Sequence, residues 1–417
     1  MAIWACYLAG GRSRSLGDVV KDKNLALEGL RGIACVNVVL AHFLFSTLGY
    51  MARYQYDMRD VPMASWFTDL VAHAPFSLAF NGNSAVCIFF VLSGYVLTAK
   101  FVATGDVAAL RSAAVRRYVR LVTPAFIAVI FAWIVFRAGF IHTQTAPQWG
   151  AAGWVPMYYK DPVSFGAAVF EGAIAAPFFG QVSLNNPLWT MRIELMGSLL
   201  LFAVHALFGG RSRVLLVLWF AAFAALLMPQ SIYFIYMLAI VAGSLLHDVE
   251  AWLRRHPAAT IACIVLGLIG CSYEYSSTYA WLNRVPLPNM LPFAVDLNTD
   301  TRGFWNTVGA VLLVAGVLGS PATSRFLGWA PFAWLGRISF SLYLLHWPLN
   351  FSLGLNGTKF FLDRGLPHNA ALMAGLAVFL VVCFLAAEIF QRLVDGPSIR
   401  LARYVDSWMA RSSPKAA

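Results

Sequence analysis

Four groups of ionisable residues sit in or beside long apolar runs of this chain. Arg31 opens the run "LEGLRGIACVNVVLAHF", just after Glu28, and His42 follows eleven residues later. At about 100° per residue that spacing returns both to nearly one helix face, roughly 16 Å apart along the axis. Arginine is a permanent cation suited to phosphates, and a neutral imidazole is the form that takes a proton as general base. A second group stands in "RSAAVRRYVRLVTP", where Arg116, Arg117 and Arg120 precede Pro124. Arg117 and Arg120 share a helix face. Such a cluster suits phosphates through forked, charge-assisted hydrogen bonds, and a topology determinant or headgroup anchor is the alternative. The third group, in "NNPLWTMRIELM", holds Trp189, Arg192 and Glu194; the fourth is His346 in "LGRISFSLYLLHWPL". Charges inside a membrane are costly, so they mark a cavity or a buried partner. For His42 the alternative is a hydrogen bond to a neighbouring helix. For Glu194 it is a salt bridge to Arg192 or to another helix, although residues two apart do not face each other.

The elements that must position these groups are membrane helices. The chain of 417 residues is 60% hydrophobic and only 12% charged, about half the charge of an ordinary soluble domain. Apolar runs recur at 30–50, 81–100, 121–140, 187–208, 213–229, 231–247, 258–274, 303–319, 337–354 and 369–392. Each is long enough for a hydrocarbon core of roughly 30 Å, and too uniformly apolar for a β-barrel strand. The expectation is an all-α polytopic membrane protein of about ten transmembrane helices. Most of the 30 Lys and Arg fall on segments that lie inside if the N-terminus is cytoplasmic, which places both termini in the cytoplasm. This bias accounts for the net charge of +11 without nucleic acid. Residues 1–29 read as a cytoplasmic N-terminal segment without a cleavable signal, 30–392 as one membrane domain, and 393–417 as a polar cytoplasmic tail. The long connection at 141–186 contains "FGAAVFEGAIAAPFF", in which Glu171 and Pro177 favour a helix at or dipping into the outer interface. The connection at 275–302 is placed to cap a site. The six cysteines lack metal or disulfide spacing, and no His/Cys/Asp/Glu grouping predicts a metal site.

Taken together, these blocks resemble the acyltransferase-3 family of integral-membrane O-acyltransferases. Glu28, Arg31 and His42 match the family's Arg-x10-His opening, and "FFVLSGY" with Arg117 and Arg120 forms the second block. "LWTMRIE" is similar to Leu-Trp-Ser-Leu-x-x-Glu, and "LGRISFSLYLLHWPL" to Tyr-Leu-x-His-x-Pro. "EIFQRLVDGP" resembles the closing Glu-x-Pro element. Thr190 in place of serine and the "LMGS" after Glu194 depart from the pattern on the expected acceptor side. The chain is expected to be a stand-alone form without the C-terminal esterase-like domain of some members.

The resemblance implies an enzyme of a bacterial inner membrane that uses acyl-CoA, most often acetyl-CoA, as co-substrate. Its acceptor would be a carbohydrate or glycoside hydroxyl, with membrane lipid as its surroundings. Donor phosphates would rest on Arg31, Arg116, Arg117 and Arg120, and His42 would act as base with Glu194 orienting it or the acceptor. Glu28, Trp189, Arg192 and His346 would line the cavity. A transporter would instead require internal repeats, which the sequence lacks. A relay carrying the acyl group to a separate enzyme would use the same residues. Ser93 in "LSGY" has no nearby base in sequence to make it a nucleophile.

Overall fold

A computed structural model describes residues 24–55, 65–209, 212–228, 231–285 and 301–412. Helices dominate the described residues and no strand occurs among them. In hydrocarbon, backbone polar groups must be satisfied within their own segment, and the helix does this. The principal helices are α1 (Leu25–Thr47), α2 (Gly82–Thr104), α3 (Val107–Arg137), α4 (Thr190–Phe208), α5 (Arg213–Leu227) and α6 (Ser231–Leu253). They continue as α7 (Pro257–Cys271), α8 (Thr301–Gly319), α9 (Ala330–Leu349), α10 (His368–Phe390) and α11 (Gly396–Ser412).

Each of the ten expected spans coincides with a helix. Among the described residues, seven helices are long and apolar enough to cross a membrane: α1, α2, α3, α4, α6, α8 and α10. Helices α5 and α7 have 15 residues each, about 22 Å of rise. Helix α9 has the length, at 20 residues, but carries Arg337, Ser339, Ser341 and His346. The protein is an all-α, multi-pass membrane protein. The connection after α3 holds a short helix, Phe165–Phe170, that runs into a π-helical stretch, Glu171–Phe179. Residues 1–23, with most of the expected N-terminal segment, and 286–300, with most of the expected capping loop, lie outside the described residues. The tail read as polar contains a 17-residue helix, α11.

The pairing of α1 with α9 positions the site. Asn24 caps α1, its side chain accepting from the amides of Ala26 and Leu27. Glycines then let the two backbones touch. A Cβ on Gly32 would meet the Gly336 amide at 2.5 Å, and one on Gly336 would meet the Glu28 carbonyl at 2.1 Å. Small residues at such crossings are how membrane helices gain packing without a hydrophobic drive. Beyond the crossing the contacts keep one register. Cys35 bonds the Ser339 carbonyl, His42 meets His346, and Asn350 donates to Ser46. Each pair is separated by the same 304 positions. Constant separation means that α1 and α9 run parallel. Helices α2 and α6 are parallel as well, since Asn83 meets Tyr236 at one end of the pair and Tyr95 meets His247 and Glu250 at the other. Helices α7 and α8 run antiparallel, with Gly267 against Leu313 and Gly316 against Ile264.

Candidate active site

His42 lies five residues before the end of α1 at Thr47. That is roughly 7–8 Å from the helix end, nearer the face opposite Arg31 than the mid-membrane depth expected from the sequence. The observed helix spans 25–47 rather than 30–50, because Asn24 starts it early. The His42 Nδ1 stands 2.8 Å from Nε2 of His346, with the ring planes inclined by 22°. His346 is fully buried, and its Nδ1 lies 2.7 Å from the carbonyl of Tyr343. A carbonyl only accepts, so His346 carries its proton on Nδ1. With both rings neutral, Nε2 of His346 then accepts from Nδ1–H of His42, and Nε2 of His42 keeps its lone pair. That nitrogen makes no hydrogen bond among the described residues, and the His42 side chain is half-buried rather than sealed. Trp347 packs edge-on against the His42 ring at 5.1 Å, and Asn350 donates to the His42 carbonyl.

The segment after α3 covers the far end of this pair. The Ala152 amide donates to the Ser46 carbonyl at 2.9 Å. Trp154 stacks on Trp347 at 6.4 Å, and Tyr158 meets its edge at 5.0 Å. Glu171, expected to forbid a full span, is buried and accepts from the amides of Ser183 and Leu184. It thereby pins the turn whose Asn185 donates to the Leu344 carbonyl.

At the basic face, where α1, α3 and α9 begin, Arg31 is held firmly. Its Nη2 donates to Glu28 at 2.7 Å and to the Gly336 carbonyl at 2.8 Å, and its Nε to Ser339 at 3.0 Å. Nη1 makes no hydrogen bond among the described residues. Arg120 lies within electrostatic reach of Arg31, Arg117, Glu28 and Asp395, yet its side chain is solvent-accessible. It makes no ion pair or hydrogen bond among the described residues. Arg116 turns to the other side of α3, 3.7 Å from Asp406 of α11.

Arg117 points inward. It pairs with the Glu194 carboxylate and donates through Nε to Ser198 at 2.9 Å. Ser93 donates to both Glu194 oxygens, at 2.8 and 3.0 Å. The cluster ties α2, α3 and α4 together, and among the described residues Glu194 makes no hydrogen bond or ion pair with either histidine. Glu194 is paired across helices, while Arg192 donates to the Leu227 carbonyl at 3.1 Å. Trp189 stacks against Tyr233 and Tyr236, at 5.6 Å from each.

The structure thus brings His42 to His346, and Arg31 to Glu28 and Arg120, and it sets Trp189, Arg192 and Arg116 apart from both groups. Sequence reasoning missed Ser339, Tyr343 and Asn350. A signal existed: Gly336, Ser339, Tyr343, His346 and Asn350 alternate three- and four-residue steps, as do Gly32, Cys35, Val39, His42 and Ser46. Two such stripes are the pattern of a paired helix seam.

Residues 24–388 match the family model described as "Acyltransferase domain", Acyl_transf_3. The acyltransferase clz18 of Cochliobolus lunatus is 23% identical, over 89% of this chain and 93% of its own length. The O-acetyltransferase PaAT-1 of Phomopsis amygdali is 26% identical, over 93% of this chain and 85% of its own. Both come from fungi, so they lend no support to the bacterial setting that the family resemblance suggests. No solved structure matches significantly. The matched region contains all ten site residues named from the sequence, and the protein, an acyl-transferring enzyme, belongs to the acyltransferase-3 family.

Proposed function

We propose that this O-acyltransferase moves an acyl group, most simply acetyl, from cytoplasmic acyl-CoA to a hydroxyl of a carbohydrate or glycosylated acceptor, with His42 as general base. The observation that carries this reading is the chain Tyr343 carbonyl–His346–His42, which leaves one imidazole nitrogen free at the end of a fixed array. The acetyl choice is supported by the relative named an O-acetyltransferase. In this reading both termini face the cytoplasm, so the basic face meets the donor. Phosphates contact Arg120 and Nη1 of Arg31, and the thioester reaches His42 along α1. Engaged as they are with Glu194 and Asp406, Arg117 and Arg116 shape the donor site rather than hold the donor.

The acceptor hydroxyl gives its proton to His42 Nε2 as its oxygen attacks the thioester carbonyl. The carbon–sulfur bond then breaks, and the proton passes from Nε2 to the leaving thiolate. While His42 is an imidazolium, its Nδ1–H donates to His346, which stabilises the charge in a low-dielectric setting. Holding two substrates at one base supplies the rest of the acceleration. Acyl-CoA turnover by purified protein, wild type against His42→Ala, with a panel of glycans and glycosides, tests the proposal. Acceptor-dependent CoA release that the substitution abolishes in folded protein is the expected result. Full activity without His42 would remove the base. Donor binding with no transfer to any acceptor would favour a relay.

A further inference from the structure

The C-terminal helix α11 follows the membrane-crossing α10 after only the π-helical turn Gln391–Asp395. Its start is therefore held at the bilayer surface, at the basic face. One side of it packs on α3: Ser398 and Ala402 are buried, and Asp406 accepts from Ser112 at 2.6 Å beside Arg116. A different side carries an apolar stripe at helical spacing that is largely solvent-accessible. Leu401 is 47% exposed, Tyr404 68% and Trp408 60%. Arg400 and Arg411 flank that stripe. An exposed apolar stripe with arginines at its border is the composition of a helix that lies in the plane of a membrane interface.

We propose that α11 is an interfacial strap: Leu401, Tyr404 and Trp408 enter the headgroup–acyl boundary while Asp406 clasps the first turns of α3. The occupant of the exposed stripe is a lipid surface, and an anionic one is favoured by Arg400 and Arg411. The lipid-seated helix then fixes the end of α3 that bears Arg116, Arg117 and Arg120. It gives lipid composition a mechanical hold on that end, whatever ligand the arginines bind.

The test uses the full chain in vesicles of phosphatidylcholine, with and without phosphatidylglycerol. Nitroxide labels go on Leu401→Cys, Tyr404→Cys and, on a different side of the helix, Ser407→Cys. The expected result is that labels at 401 and 404 collide with dissolved oxygen more than with an aqueous nickel chelate, with the reverse at 407. Aqueous behaviour at 401 and 404 in both vesicle types would overturn the proposal. Hydrogen exchange over 107–117 is then compared between wild type and Leu401→Glu/Tyr404→Glu. Exchange about tenfold faster in the variant, one decade in the opening equilibrium, is expected. Unchanged exchange with labels in lipid would overturn the strap and leave only an anchor. Neither readout depends on acyl transfer.

Discussion

Two of the polar groups inside this membrane domain are built to opposite ends. Around Glu194 every charge is consumed: Arg117 pairs with it, Ser93 donates to both oxygens, and Ser198 takes the remaining guanidinium edge. In the His42–His346–Tyr343 chain of the α1–α9 seam the hydrogen bonds run in one direction and leave one nitrogen with nothing on it. A closed network holds helices together; an open-ended one presents a reactive atom. Burial of a charge is therefore a poor guide to chemistry, and the unspent lone pair or proton is a better one.

The largest effect expected from breaking this contrast is at the open end. His42→Ala should lower acceptor-dependent acyl transfer by about 10²–10⁴-fold, the usual worth of a positioned general base, with donor binding retained by titration calorimetry. Transfer should also fall as pH drops through the imidazole titration, since only unprotonated Nε2 takes the proton. His346→Ala removes the acceptor that orients His42. A lost charge-assisted bond of about 1.5–3 kcal/mol corresponds to roughly 10–100-fold in kcat with KM little changed. His346→Gln, whose amide oxygen can accept from Nδ1–H, should recover part of that loss. A Gln variant no better than Ala would argue that His346 only fills space.

The seam itself can be pried open. Valine at Gly336 must displace the Glu28 carbonyl, at a cost of about 1–3 kcal/mol from overpacking, read as a lower unfolding temperature in detergent. Gly153→Ala, where a Cβ meets nothing within 4 Å, is the matched control. Equal stability of the two variants would mean that the helices do not need this contact. At the basic face, Arg120→Ala should raise KM for acyl-CoA about tenfold, one charge-assisted contact, while Arg116→Ala should change it far less. The reverse order would move the donor to the α11 side of α3. Least of all, Arg192→Ala should alter stability by under about 0.5 kcal/mol, as expected where only one surface carbonyl contact is lost.

Most of the fold was legible because a bilayer leaves few choices. Runs of apolar residues longer than about 17 had to become helices. Their depth was less legible: Asn24 begins α1 five residues before the expected boundary, and that shift carries His42 toward the far face. The pairing of Arg31 with Glu28 was within local reach of the sequence, since three residues along a helix bring side chains together. The His42–His346 contact was not, because nothing local links two helices so distant in the chain. Arg116 shows the same limit. A basic run reads as one cluster, but a helix sends consecutive residues to different sides, and only the position of α11 decides what Arg116 meets.

The uniform 304-residue separation across the seam also governs when the enzyme comes into being. As the chain leaves the ribosome, α1 must wait in the membrane while the seven helices after it insert. The ninth then docks beside it and supplies His346. Until then His42 lacks its partner and Gly32 faces lipid or a temporary neighbour. A chain that stalls before residue 330 thus leaves behind a bundle with Arg31 and Arg120 but without His346. Under the proposed mechanism its base is not oriented, and acyl transfer waits for completion of the chain.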